Sequence, residues 1–204
     1  MLAALSVLLP AVVVDAQQTA AKIEVTIPLR RGPVEQVAGV WTTAGRGDRA
    51  VITHDGTKWG EKEGYPLALF RDPGNFSGGT VWIDFKLIGG TDDYSAGLVF
   101  GHTGDGSYYY VRYNTKDGNV ALWRMDGPKR TVVKHGLEHT QLARDEWHRL
   151  ELTVTGRKIR AAVPGTSLVV EHYLEHSISG RLGLWTKPDV TTAFRNLQVS
   201  ESRH

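Results

Sequence analysis

From residue 36 onward, apolar and polar positions alternate in short runs that Gly, Asp, Asn or Pro interrupts every 8–12 residues or so. Period-two alternation places successive side chains on opposite faces of an extended chain. The pattern therefore predicts an all-β sandwich or barrel. Its strands are expected at Gln36–Thr43, Arg49–His54, Pro66–Phe70, Thr80–Ile88, Ser95–Gly101, Tyr108–Asn114, Val120–Met125 and Arg130–His135, and then at Glu146–Thr155, Lys158–Val163, Leu168–His172, Arg181–Trp185 and Thr192–Val199. The gaps carry turn chemistry. Asp55-Gly56, Gly89-Gly90, Asp117-Gly118 and Asp126-Gly127 supply the positive φ of tight hairpins, and Pro164-Gly165 fits a type II turn. No stretch holds an apolar period of 3.6 over three turns; only Thr140–Glu146 reads as a single helical turn.

The two ends break this pattern. Leu2–Val14 is apolar apart from Ser6 and Pro10. It is shorter than the roughly 20 apolar residues that span a bilayer, and it has the form of a secretory signal. Val14-Asp15-Ala16 places small residues at the cleavage-reading positions, so residues 1–16 are expected to be a signal peptide cut after Ala16, although no Lys or Arg precedes the apolar run. The expected compartment is periplasmic or extracellular. A polar lead follows over 17–35, with a candidate edge strand at Ile23–Ile27. The sandwich domain occupies 36–200, and the tail 201–204 is expected to fray.

Composition removes several classes of function. The 204 residues contain no cysteine, which excludes disulfides, thiolate metal sites and a cysteine nucleophile. In an exported domain, the two-sheet core must then carry stability unaided. A formal charge of +2 provides no strong field toward nucleic acid or an acidic membrane. Neither nucleic acid nor stable membrane insertion after signal cleavage is expected.

The middle and end of the chain carry a recognisable phrase. It runs Ala96-Gly97-Leu98-Val99-Phe100, Tyr109-Tyr110-Val111-Arg112-Tyr113-Asn114, Asn119-Val120-Ala121-Leu122-Trp123, Glu146-Trp147-His148-Arg149-Leu150 and Gly183-Leu184-Trp185-Thr186-Lys187, closed by Phe194, Asn196, Leu197 and Val199. Over about residues 37–199 it resembles the concanavalin A-like lectin/glucanase jelly rolls. It is nearest to exported bacterial domains of the laminin-G-like and 3-keto-disaccharide hydrolase types. The resemblance implies a two-sheet antiparallel sandwich with a concave face that often binds sugar. Two departures stand out. Arg195-Asn196 occupies the place of an acidic pair after the final Phe, and Lys187-Pro188-Asp189-Val190 replaces an Asp-Ser after Thr-Lys.

Alternation divides one strand into two faces. Tyr109, Val111 and Tyr113 are expected in the core, and Tyr108, Tyr110, Arg112 and Asn114 on the other face. Rings stack on the C–H faces of sugars, and Arg and Asn bond hydroxyls directionally. With Asn119 and Trp123 beside them, these residues form the candidate glycan site, and Gly97 and Gly101 leave room for a ligand to approach. The competing reading has Arg112 and Asn114 satisfying buried strand ends. Trp59, in the polar loop Lys58–Gly64, and Lys187 and Asp189 complete the ligand-binding set. Trp41, Trp82, Trp147 and Trp185 read as core.

Metal and catalytic signals are weaker. His135–His139 and His172–His176 both fit H-x-x-E-H, which holds zinc only on a helix, and neither stretch is helical in pattern. A surface metal site at Glu171, His172 and His176 is favoured over a catalytic zinc site. No E-x-D-x-x-E run of a retaining glucanase is present; Asp92-Asp93, Glu61/Glu63 and Glu171/Glu175 read as solvated or turn-forming charge. Asp92-Asp93 with loop carbonyls is the one candidate for Ca²⁺, and no cofactor is otherwise expected. The leading reading is a non-catalytic, exported carbohydrate-binding domain. The first alternative is a glycoside-cleaving hydrolase drawing on Glu61, Glu63, His102 or Asp189, and the second a laminin-G-like adhesion domain.

Overall fold

A computed structural model describes residues 24–25, 34–46, 49–59, 64–91 and 93–201. Along the chain run β1 (Glu24–Val25), β2 (Val34–Ala38), β3 (Trp41–Ala44), β4 (Val51–His54), β5 (Leu67–Phe70), β6 (Gly79–Gly89), β7 (Ser95–His102) and β8 (Tyr108–Asn114). They continue with β9 (Asn119–Asp126), β10 (Lys129–His135), β11 (His148–Thr155), β12 (Lys158–Ala162), β13 (Val169–Tyr173), β14 (Arg181–Trp185) and β15 (Thr191–Glu201). Every pairing is antiparallel. The first sheet has the order β13-β12-β11-β6-β15-β4-β3, with β1 also on β15, and the second the order β10-β9-β8-β7-β14-β5-β2. The alternation predicted a sandwich or a barrel, and the result is the two-sheet antiparallel jelly-roll sandwich that the family resemblance implied. The predicted signal segment, most of the polar lead and the last three residues lie outside the described residues; the lead's edge strand is present as β1, where Glu24 pairs with Ser200.

The core lies between the sheets. β6 contributes Val81, Ile83, Phe85 and Leu87, and β8 contributes Val111 and Tyr113, all fully buried. β15 keeps its apolar residues inward by changing phase. Phe194, Leu197 and Val199 all face the core because a bulge between Arg195 and Gln198, with Asn196 at φ 53°, inserts an extra residue.

Three expectations are corrected. The single strand expected at Gln36–Thr43 is two strands in different sheets, β2 and β3. The chain crosses between them at Gly39, whose φ of +90° suits glycine and where a Cβ would sit 2.9 Å from His54 Nε2. The expected helical turn at Thr140–Glu146 is irregular: Tyr113 Oη donates to Thr140 O (3.0 Å) and accepts from Leu142 N–H (2.9 Å), and Asp145 takes φ 61°. The tryptophans also divide differently. Trp41 is core, against Phe194. Trp82 and Trp147 face outward from the first sheet: Trp82 Nε1 donates to Glu151 (2.8 Å), and Trp147 lies between Lys86 and Arg195. Trp185 is fully buried, but on the outer face of the second sheet.

Candidate functional site

The register of β7, β8 and β9 assembles the outer face of the second sheet. Tyr110 lies opposite Trp123, Arg112 opposite Ala121 and Asn114 opposite Asn119, while Gly97 lies opposite both Arg112 and Trp185. A Cβ at Gly97 would meet Trp185 Cε3 and Arg112 Cβ, each at 3.3 Å. The room expected there for a ligand is thus filled by the chain's own Trp185, whose ring edge at Cε3 packs against the glycine. Gly101, at φ +62°, faces Ile178 of the core rather than an open site.

Over this floor spreads a continuous aromatic layer. Tyr110 and Trp185 stack at 4.4 Å between centroids, Tyr65 meets Trp185 at 5.0 Å, and Tyr108 meets Tyr110 at 6.0 Å. Trp123 stacks on Tyr110 at 6.4 Å. Arg130, carried in by β10 opposite Met125, sits among these rings. Its guanidinium carbon is 3.8 Å from the Trp123 centroid, Nε donates to Tyr110 Oη (2.5 Å) and Nη1 to Tyr65 Oη (3.0 Å). Burial pushes the Tyr108 phenol up to about 12 and raises that of Tyr110 further, so both are neutral hydrogen-bonding groups at physiological pH.

A groove of about 620 Å³ opens above this layer. Tyr65, Tyr108, Met125 and Arg130 line it together with the Gly127-Pro128 turn and with Lys187, Pro188 and Asp189. Lys187 pairs with Asp93, and burial lowers its ammonium below the ordinary lysine value. Asp189 Oδ2 accepts from the Thr91 hydroxyl (2.5 Å) and amide (3.3 Å).

Of the expected site residues, Tyr108, Lys187 and Asp189 line the groove. Tyr110 and Trp123 belong to the layer around Arg130. Arg112, Asn114 and Asn119 are buried at one end of the face and serve the turn beside it. Arg112 bonds Asp117 (2.6 Å) and Asn119 (3.4 Å), while Asn114 bonds Ser95 (2.9 Å) and Asp93 and accepts from Asp117 N–H (2.9 Å). Trp59 is not an exposed loop residue: it is 5% exposed and meets His54 edge-on at 6.2 Å. His102 stacks on Tyr108 at the far end of the face. Glu61, Glu63 and Asp92 lie outside the described residues.

Neither H-x-x-E-H stretch is a helix. His135 ends β10 while His139 reaches Asp117 O (2.6 Å), and His172 lies in β13 with His176 beyond it. Glu171 pairs with Lys158 and Arg160, and as its strand neighbour His172 points to the opposite face. Among the described residues, no group of three or more His, Asp or Glu side chains is placed to hold a metal ion. Sequence reasoning missed Tyr65, Arg130 and the outward placement of Trp185. Each comes from a different segment, and only the strand order brings them together.

No protein-family model and no curated protein matches the chain. Solved structures do. The carbohydrate-binding module CBM66 from Bacillus subtilis superposes with a TM-score of 0.65 at 17% identity, over 82% of this chain and 96% of that one. A second Bacillus subtilis protein, of unknown function and galectin-like fold, gives 0.59 at 14% identity over 88% and 98%. A prokaryotic β-1,3-1,4-glucanase (lichenase) from a mouse hindgut metagenome gives 0.56 at 14% identity over 88% and 98%. The fold is the concanavalin A-like sandwich. In this concanavalin A-like frame, the groove and its aromatic layer belong to the second sheet, and the first sheet presents ion pairs outward, such as Asp84 with Arg149 at 2.8 Å.

Proposed function

We propose that this chain is an exported carbohydrate-binding domain whose glycan site is the groove over the second sheet. The observation that carries the reading is the groove's lining, in which the rings of half-buried Tyr65 and nearly buried Tyr108 stand with the directional polar groups of Lys187 and Asp189. Rings offer flat faces to sugar C–H groups, and the polar groups select hydroxyl positions. The concanavalin A-like fold, shared with a carbohydrate-binding module, supports the same reading. So does the charge pattern of the groove. Two-carboxylate glycoside cleavage needs an acid and a nucleophile or base facing one bond, and among the described residues that line the groove Asp189 is the one carboxylate.

Glycan-array screening followed by affinity electrophoresis tests the proposal. Tyr65→Ala and Asp189→Ala are each expected to weaken retention on the bound glycan, with the fold intact by circular dichroism. Absence of binding to every glycan, or binding that neither variant changes, would overturn it. Export is tested by N-terminal sequencing of protein recovered outside the cytoplasm, with Gln17 the expected first residue and an intact Met1 the contrary result.

A further inference from the structure

We infer that the groove selects acidic saccharides, with Arg130 binding the carboxylate of a uronic acid residue. The inference rests on the carbohydrate reading above and specifies the ligand class. Arg130 is half-buried at the groove wall, and its positive charge is held by rings rather than by an acid. Its guanidinium lies 3.8 Å from the Trp123 centroid, 4.9 Å from that of Tyr65 and 5.5 Å from that of Trp185. Ring faces attract the cation without cancelling its charge. Among the described residues no carboxylate pairs with it, whereas the groove's other cation, Lys187, is neutralised by Asp93.

Donor accounting points the same way. A guanidinium has five N–H donors in a fixed plane. Tyr110 takes the one on Nε and Tyr65 one on Nη1, leaving three on the two terminal nitrogens. Those three include donors on both terminal nitrogens, the groups through which a guanidinium can meet a carboxylate with two parallel hydrogen bonds. Asp189 lines the same groove with Oδ2 occupied by Thr91, so a bound sugar would orient with its carboxylate toward Arg130 and its hydroxyl donors toward Asp189.

The test is calorimetric titration with oligogalacturonate, oligoglucuronate, oligomannuronate and oligoguluronate, with their methyl esters, and with neutral and sulfated oligosaccharides. The best acid is expected to bind roughly tenfold or more tighter than its own methyl ester, as loss of a charge-assisted hydrogen bond predicts. Arg130→Gln should abolish that difference and Arg130→Lys retain part of it. The ester comparison uses the unaltered protein, so it stands even where Arg130→Gln fails to fold. Equal binding of acid and ester, or tighter binding of a neutral or sulfated glycan than of any uronate, overturns the inference while leaving the carbohydrate reading in place. If no glycan of any kind binds, both fall.

Discussion

His54 is wholly buried between Trp41 and Trp59, with Nδ1 2.8 Å from Val190 O and Nε2 without a partner. This geometry places the proton on Nδ1, from which it is donated to the carbonyl. Burial lowers its imidazole below the ordinary value of 6.5, against smaller raising effects from the Val190 bond and Asp55. The unfolded chain then binds a proton that the folded chain refuses, so His54 stability is full above pH 6.5 and falls as pH drops through 6.5 toward the lowered folded value. Thermal melts between pH 7.5 and 5 should show Tm falling over this window. His102 shifts in the same direction, through burial and Arg181, so the decisive measurement is the loss of part of the slope in His54→Gln. Gly97 gives a second residue-scale prediction. Gly97→Ala would place a methyl 2.9 Å from Val111 O and 3.3 Å from Trp185. It is expected to destabilise by about 1–3 kcal/mol in denaturant unfolding, as overpacking does.

At the scale of elements, strand identity was plain in the residue pattern because side-chain alternation is local. The separation of Tyr109, Val111 and Tyr113 from Tyr108, Tyr110, Arg112 and Asn114 follows from it directly, and the core cluster contains Val111 and Tyr113. Strand ends and sheet membership were not legible. Gln36–Thr43 reads as one strand because nothing local marks Gly39 as a crossing; the tight approach of His54 and Pro66 is a tertiary fact. Loops tied by side chains were equally hidden. Tyr113 Oη accepts the buried Leu142 amide and fixes the segment that resembled a helical turn. Tyr113→Phe would orphan that N–H and is expected to cost about 1–3 kcal/mol, with faster hydrogen exchange at Leu142 as the local readout.

On the scale of the whole molecule, the two outer faces differ in chemistry. The first sheet places Trp147 between Lys86 and Arg195 amid salt bridges, and the second carries the groove. Trp147→Ala is therefore expected to leave glycan retention unchanged, whereas Trp123→Ala, which removes the ring under Arg130, should weaken it at least severalfold in the same affinity gel. Equal effects from both would mean that the site is not confined to the second sheet. The site was only partly legible for the same reason. Tyr108 stood out through its strand, and Lys187 and Asp189 through the phrase after Trp185, but Tyr65 and Arg130 lie in segments joined to them only by sheet order.

Alternation and turn residues determined by themselves that this chain is all-β, and the absence of cysteine that its core holds without disulfides, because period and backbone conformation act over a few residues. Tertiary structure alone decided which polar and aromatic residues remain available. Burial turned Arg112, Asn114 and Asn119 inward to a turn and laid Trp185 over Gly97. Strand order then brought Arg130 to rings from β8, β9 and β14 without giving it an acid among the described residues. Hydrogen-bond and charge pairing across distant segments depends on register, and no local pattern records it.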